Sequence, residues 1–468
     1  MPVLKASGFF VPMRTTHIPV SPDWYTVILQ TYANREHGEV TKRSMTMGAI
    51  ARRITRVITA VVCVAVSVGV SVATLHVPTR EGGGERFNPA RYRSDVIADT
   101  VINHTTGVDK TQGTGTAGSP YDNKGDFPEA GYTPSDFHAP CSIWTYRDAE
   151  SVWNCQVSGL QDLDTSSPHV RDVLSDYFVK LLDYGVAGFR VDAVKHMPPE
   201  DVLAIKKLVA KKSGRSMNDI WWTQEVIGDN AEAAEIQPRN YLKTGQVNEF
   251  QYAYRLKSLF SNSLAGGSLS IKDIPQNITD SGKASVFVTN WDTERNNMTL
   301  TYKDGDAYQL ANAFMLAYPY GTPNVFSGYE FHDTDSGASG ATATSVPDID
   351  CSKDSGWSCT ERWPDVHGMV GWHNVAGDAP LSDWQDDGDN MIAFGRGGRA
   401  FIAINNSVRT RTVTYHTALP AGEYCDVYAS ADCSGSVHVR FDGDATLTVP
   451  AGRAGAFHIA ATPYTVRQ

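Results

Sequence analysis

Three carboxylates, each following an apolar run that reads as a strand, carry the chemistry of this sequence. Gly188-Phe189-Arg190-Val191-Asp192-Ala193-Val194-Lys195-His196 puts a carboxylate next to an arginine at the exit of the first run. Trp221-Trp222-Thr223-Gln224-Glu225 ends on a second, and Phe287-Val288-Thr289-Asn290-Trp291-Asp292-Thr293-Glu294-Arg295 supplies a third. In a parallel barrel the strand ends converge on one rim, so acids far apart in the chain share a pocket. Two opposed carboxyl groups suit cleavage of a glycosidic bond: one attacks or directs water while the other donates a proton to the leaving oxygen. A single Asp after a strand is more often a helix cap or a loop hydrogen bonder. Three of them, each in an unusual local sequence, weigh towards catalysis.

Those acids need a scaffold, and the hydrophobic pattern predicts one. Asp95–Asn103 (DVIADTVIN) reads as a buried strand. Pro168–Tyr184 carries Val170, Val173, Leu174, Tyr177, Phe178, Leu181 and Leu182 at i, i+3, i+4 spacing, an amphipathic helix that Gly185 stops. A strand follows at Val186–Val191, a helix from Glu200 to Lys212 and a strand through Ile220–Gln224. Further on come a strand at Ser285–Thr289, a helical segment through Leu310–Ala317 and a strand near Val325. Alternating strand and helix implies an α/β fold with a parallel sheet and crossover helices. Residues 104–166 are rich in Gly, Ser, Asp and Pro and too long for an ordinary loop, so they form a small excursion. From Asn390 onward, short β-branched and aromatic runs alternate with turn clusters, the pattern of an antiparallel sandwich. That module reads first as a structural cap, with ligand binding the alternative.

The chain of 468 residues is 41% hydrophobic, enough to bury a large core. Forty-one Lys and Arg against 52 Asp and Glu leave a net charge of −11, which excludes a polyanion-binding surface, so no nucleic acid is expected. Six cysteines fall in three local pairs, Cys141 with Cys155, Cys351 with Cys359 and Cys425 with Cys433, in the loop-like settings of disulfides in exported proteins, with buried free thiols the alternative. No Cys-x-x-Cys or Cys/His spacing suggests zinc. Cys63 lies in the uncharged run Val57–Leu75, behind Arg52, Arg53 and Arg56 and downstream of Met45 and Met47. A basic flank before an apolar core is an export signal; left uncleaved, the run is long enough to anchor the chain in a membrane. The expected organisation is residues 1–44 unassigned, 45–80 signal peptide or signal anchor, 81–94 linker, 95–389 barrel with 104–166 inserted, and 390–468 sandwich. A secreted monomer is expected, or an extracellular one held by the run at 57–75.

These segments resemble the shared sequence regions of the α-amylase family, glycoside hydrolase family 13, in particular its secreted bacterial members of the animal-like type. Val101-Ile102-Asn103-His104 is similar to the first region, GFRVDAVKH to the second, the Glu225 segment to the third and NWDTER to the fourth, in the family's order. The resemblance runs from about Val96 to the C-terminus. It implies a (β/α)8 TIM barrel with a small insertion after its third strand and a C-terminal antiparallel β-sandwich. It implies retaining, endo-acting hydrolysis of α-1,4-glucosidic bonds in starch, glycogen and maltooligosaccharides. Asp192 would be the nucleophile, Glu225 the general acid/base, and Asp292 the stabiliser of the charged transition state. His104 and His196 would donate hydrogen bonds to the sugar at the cleavage point and Lys195 would reach the adjoining sugar, with Arg190 and Trp291 completing the substrate site. Calcium is implied too, on the side chains of Asn103 and Asp162 and the carbonyls of Trp153 and His196, an all-oxygen set that suits the ion.

The sequence departs from the family pattern at three places. Trp291 stands where the fourth region usually has histidine, so one transition-state hydrogen bond is lost or supplied otherwise. Glu330, in SGYEF, matches the position where chloride-dependent members carry a second basic residue. An acid there repels an anion, so chloride is not expected although Arg190 and Asn290 fit. The first two βα units are not identifiable: on the order of 60 residues should precede a third strand at Asp95–Asn103, and the stretch after Leu75 is far shorter. Ile18–Tyr32 taken as strand and helix, with Val57–Leu75 as a buried helix, is one way to supply them; a misread or truncated gene start is the other. The alternative function is therefore a non-catalytic remnant or an anchored glucan-binding protein.

Overall fold

The computed structural model describes residues 29–33, 94–107, 112–115, 118–261, 280–342, 347–352 and 354–466. The run Val57–Leu75 and most of the segment before Ser44 lie outside these residues. Seven strands close a barrel in the order Leu29–Ala33, Thr322–Ser327, Ala284–Phe287, Gln246–Asn248, Trp221–Gln224, Gly188–Val191 and Ser94–Thr100. The last six run parallel. Leu29–Ala33 runs antiparallel to both neighbours, with Leu29 opposite Ser327 and Gln30 opposite Ile97. Six parallel strands that do not meet leave two rows of unpaired N–H and C=O groups, and one extended segment between the two edges satisfies both. The end of Ile18–Tyr32, expected to be helical if that stretch opened the barrel, therefore includes strand residues instead.

Local chemistry accounts for the elements that carry the barrel. The helix Pro168–Asp183 starts where the Ser167 hydroxyl accepts the Val170 N–H and Pro168 presets the first turn. It buries Val170, Leu174, Phe178 and Leu182 along one face and ends before Gly185, whose φ is 94°. Phe178 meets Phe189 at 4.6 Å and Trp222 at 4.9 Å between ring centres, joining helix to sheet. The helices Pro199–Ser213 and Asp306–Ala317 and the strands at 188–191, 221–224, 284–287 and 322–327 lie within a few residues of their expected spans. The strand expected over Asp95–Asn103 ends at Thr100, and Val101–Asn103 leave the sheet. Gln246–Asn248 and the helix Phe250–Phe260 carry no comparable signal. The strand is three residues long and mostly polar, and is held by the Asn248 amide, which donates to the hydroxyls of Thr223 and Ser285, each at 3.2 Å.

Between the Ser94–Thr100 strand and the Pro168–Asp183 helix the chain makes the excursion. Two small ribbons pair His104–Gly107 with Leu160–Asp162 and Gln112–Thr114 with Pro120–Asp122. The helix Ala149–Asn154 packs against the Val194–His196 turn and ends at the Cys141–Cys155 disulfide. Cys351–Cys359 and Cys425–Cys433 are also bonded, as expected from their settings.

The C-terminal part is a sandwich of two four-stranded antiparallel sheets. Asp444–Val449 alternates buried and exposed residues, and Met391, Phe401, Tyr415, Val439, Leu447 and Phe457 fill the space between the sheets. The helix Pro364–Ala376 joins barrel to sandwich: the Trp372 indole N–H donates to the carbonyls of Phe401 and Phe457, each at 3.1 Å. In return Arg396 donates to the carbonyls of Ala317, Gly377 and Ala379. Gly368 makes this contact possible, since a Cβ there would lie 1.8 Å from the Val427 carbonyl oxygen. Gly368→Ala is expected to cost about 3 kcal/mol through overpacking, read as a fall of several degrees in the thermal midpoint by circular dichroism.

Candidate active site

Arg190 organises the rim. It leaves the buried strand Gly188–Val191 with its side chain 1% exposed, and its Nη1 donates to Asp99 at 2.9 Å and Asp192 at 2.5 Å. Its Nη2 lies 3.0 Å from Glu225 and 3.9 Å from Asp292. One guanidinium thus faces acids from four barrel strands or the turns after them. Its positive charge is reinforced by Asp99, Glu225, Asp192 and Asp292, against the cost of burial. Carboxylate oxygens of Asp192, Glu225 and Asp292 all lie within 4.8 Å of one another. The strand ends therefore bring together the three acids picked out by their local sequence.

The three acids differ in surroundings. Asp192 and Glu225 are mostly buried, at 13% and 11% side-chain exposure, whereas Asp292 is half-exposed at the mouth. Burial pushes Asp192 above the usual carboxylate range, and the Arg190 charge and hydrogen bond pull it back. Burial raises Glu225 as well, Arg190 opposes that, and the charge of Asp192 and a hydrogen bond to it raise it further. Glu225 also accepts the Ala193 N–H at 3.0 Å. Loss of solvent, then the Glu225 charge, lifts Asp292 to about 6. A proton on Glu225 would give Asp192 a donor. Asp192 shares the guanidinium with Asp99 and Glu225 and receives its shortest contact.

The remaining expected residues gather on the same side. Burial lowers His104 to about 4 and His196 to about 3, so both rings are neutral near pH 7. Lys195 is buried, with its Nζ 2.6 Å from Glu232 and 5.3 Å from the centre of the Tyr146 ring; that ring also stands edge-on to His196 at 5.8 Å. The Trp291 ring lies 6.0 Å from the Arg190 guanidinium carbon, and its indole N–H has no acceptor among the described residues. Glu330 is exposed and is not among the acids that act on Arg190. The four acids around Arg190 already oppose an anion there.

Asn103 and Asp162 meet at the junction of barrel and excursion, with the Asn103 amide 3.2 Å from one Asp162 oxygen and His138 Nδ1 2.7 Å from the other. Burial lifts Asp162 to about 6 despite both partners. Trp153 lies on the helix Ala149–Asn154, which packs against the Val194–His196 turn, so the segments bearing the two expected carbonyl donors are neighbours.

Reading the sequence alone missed Asp99, Glu232, Tyr146 and His138. Asp99 had a signal, an acid within an apolar strand. The other three sit in polar loops, where an acid, a tyrosine or a histidine is ordinary.

The family model for the alpha amylase catalytic domain matches residues 94–367, and that for the alpha amylase C-terminal all-beta domain matches residues 382–460. An α-amylase of Streptomyces violaceus is 40% identical over 371 residues, 78% of this chain, and the match spans 61% of that protein's length. An α-amylase of Tenebrio molitor is 36% identical over 394 residues, covering 80% of this chain and 82% of that protein. The crystal structure of wild-type α-amylase I from Eisenia fetida has a TM-score of 0.69 at 33% identity, covering 78% of this chain and 80% of that one. A mutant of the same earthworm protein has been solved in complex with maltohexaose. Similar to these proteins through barrel and sandwich alike, the chain belongs to the α-amylase family.

Proposed function

We propose that this protein hydrolyses internal α-1,4-glucosidic bonds of starch, glycogen and maltooligosaccharides with retention of configuration. The observation that carries the reading is the approach of Asp192 and Glu225 oxygens to within 4.8 Å. Inverting enzymes leave roughly 6.5–9.5 Å between their carboxyl groups to admit a water, whereas retaining ones bring them to about 5–5.5 Å. Asp192 attacks the anomeric carbon while Glu225 gives its proton to the leaving glycosidic oxygen. Once Asp192 is a neutral ester, the charge that held the proton on Glu225 is gone, and the freed carboxylate takes a proton from the incoming water. Asp292, beside Arg190 at the open mouth, stabilises the positive charge on the sugar ring and holds its hydroxyls. Neutral His104 and His196 donate ring N–H groups to the same sugar, and Lys195, steadied by Glu232, serves the next one. The maltohexaose complex of the earthworm relative supports this substrate class.

Product stereochemistry tests the reading. Wild-type protein acting on soluble starch is expected to release reducing ends whose α anomer appears first by proton NMR. The β anomer appearing first would defeat retention, and no release by soluble, folded protein would favour the non-catalytic glucan binder.

Calcium fits the Asn103 and Asp162 site, with Trp153 and His196 supplying carbonyl oxygens. The supporting feature is a buried carboxylate lifted to about 6, in a setting where a divalent cation would offset its charge. Bound there, the ion contributes charge and a clamp between excursion and barrel, and takes no part in bond cleavage. Chelator is expected to lower the thermal midpoint by several degrees, and Asp162→Ala to abolish the difference, since an ion at 100 times its Kd stabilises by about 2.7 kcal/mol. A chloride requirement is not expected, since Arg190 is already matched by acids.

The three disulfides support an oxidising destination and a secreted protein. No helix among the described residues is long and apolar enough to cross a membrane. An export signal at 45–80, a bacterial origin and a monomeric state complete the proposed reading.

A further inference from the structure

We propose that Arg295 is a positioning residue for Asp292, clipping the segment after the Thr322–Ser327 strand onto the turn that carries this acid. This inference rests on the proposed hydrolysis. Asp292 is half-exposed, and its ion-pair contact with Arg190 Nη2 is 3.9 Å long, beyond hydrogen-bond range. The carboxylate is therefore placed by its own turn. The front of that turn is locked: the Thr293 N–H donates to the Asn290 side-chain oxygen at 2.8 Å, and the Asn290 N–H to the Thr293 hydroxyl at 3.0 Å. At the back, the Asp292 carbonyl accepts the N–H groups of Arg295 and Asn296, each at 3.1 Å.

The Arg295 side chain reaches the next segment of the rim. The strands Ala284–Phe287 and Thr322–Ser327 are parallel neighbours, so the segments that follow them leave the barrel side by side. Arg295 Nη1 donates to the carbonyls of Thr334 and Ser336, and Nη2 donates to the Tyr329 hydroxyl at 2.9 Å. That hydroxyl donates in turn to the Ser336 carbonyl at 3.3 Å. The guanidinium carbon lies 4.5 Å from the centre of the Phe331 ring and 5.4 Å from that of Tyr329, within range of both ring faces. On the far side, the Glu330 N–H donates to the Gly356 carbonyl at 2.8 Å and the Ser358 N–H to the Gly328 carbonyl at 3.0 Å, next to the Cys351–Cys359 disulfide. Arg295 therefore holds the Asp292 turn against a segment that is itself braced.

The choice of partners matters as well. Two carbonyls, a hydroxyl and two rings take up the donors of Arg295 without cancelling its charge. Its neighbour Glu294 is lifted by burial to about 8, and so is neutral near pH 7. The charge of Arg295 is left to join that of Arg190 in opposing the rise of Asp292 caused by burial and by Glu225. A planar fork that meets several acceptors at once fixes one docking geometry, which a lone ammonium does not.

A double-mutant cycle separates positioning from general support of the fold. All four proteins are assayed on α-maltotriosyl fluoride, whose ready leaving group keeps slow variants measurable. Arg295→Met loses the donors and the charge, and is expected to lower kcat about 100-fold, the cost of roughly 1 Å of misplacement, with KM little changed. In an Asp292→Asn background the same change should cost less than about two-fold, since no carboxylate is left to place. Arg295→Lys keeps the charge and part of the bonding, should recover about ten-fold of the lost kcat, and carries the same cycle if Arg295→Met does not fold. Equal losses with and without the Asp292 carboxylate, or a loss confined to KM, would overturn the positioning role. Wild-type protein that releases no fluoride would overturn the proposed hydrolysis itself, and the positioning role with it.

Discussion

Asp192→Asn is expected to lower reducing-end release from starch by about four orders of magnitude or more, the scale seen when an enzyme loses its nucleophile. Asparagine nearly matches aspartate in shape, and its carbonyl oxygen still accepts from Arg190 Nη1, now 2.5 Å from Asp192. Circular dichroism and thermal midpoint should therefore change little while the rate collapses. Residual activity above a tenth of wild type in folded protein would remove Asp192 from the nucleophile's role. Glu225→Gln should cost on the order of 10²–10⁴-fold, the usual worth of a positioned acid. Its deficit in forming the glycosyl-enzyme should shrink for substrates whose leaving group needs no proton. The pH profile separates the two residues. On the proposed roles, activity should fall on the acid side as Asp192 takes up a proton and on the alkaline side as Glu225 releases one. Both groups sit above the ordinary carboxylate range because of burial. In Glu225→Gln the alkaline limb should disappear, because no proton is left there to lose.

Arg190→Leu should destabilise the fold by roughly 3–5 kcal/mol at neutral pH, the cost of leaving buried charges without their partner. Asp99, Asp192 and Glu225 all lie within 3.0 Å of its guanidinium. Without it, burial and mutual repulsion raise their folded-state pKa values further above the unfolded ones. The folded variant then binds more protons than the unfolded chain, so its stability rises as pH falls. The deficit should be greatest at neutral pH, above those raised values, and shrink as pH drops towards the ordinary carboxylate range. Urea unfolding at several pH values reads this directly, and a pH-independent deficit would show that shape, not charge, is what Arg190 supplies. Arg190→Lys should recover part of the stability and little of the activity, since one ammonium lacks the planar fork that meets three acids.

What depends on a residue and its near neighbours along the chain is legible in the amino-acid order. The helix at 168–183 is visible because its apolar positions recur on one face, and its start and stop are written in Ser167, Pro168 and Gly185. The three acids are visible because each follows a strand in an unusual local sequence, and the cysteine pairs because their loops are short. The sandwich shows in the two-residue alternation of its strands. How distant segments meet is set by the folded arrangement. Asp99 becomes a partner of Arg190 because Ser94–Thr100 lies beside Gly188–Val191 in the sheet, with Asp99 opposite Arg190. Tyr146 joins Lys195 because the excursion folds back over the rim, and Glu232 reaches the same lysine from the loop after Glu225. The polar strand Gln246–Asn248 exists because its neighbours accept its hydrogen bonds, and Leu29–Ala33 joins the barrel because two open edges face it. Periodicity along the chain reports which side of an element avoids water, whereas pairing across a barrel depends on unsatisfied backbone groups and charges brought close only once the other elements are in place.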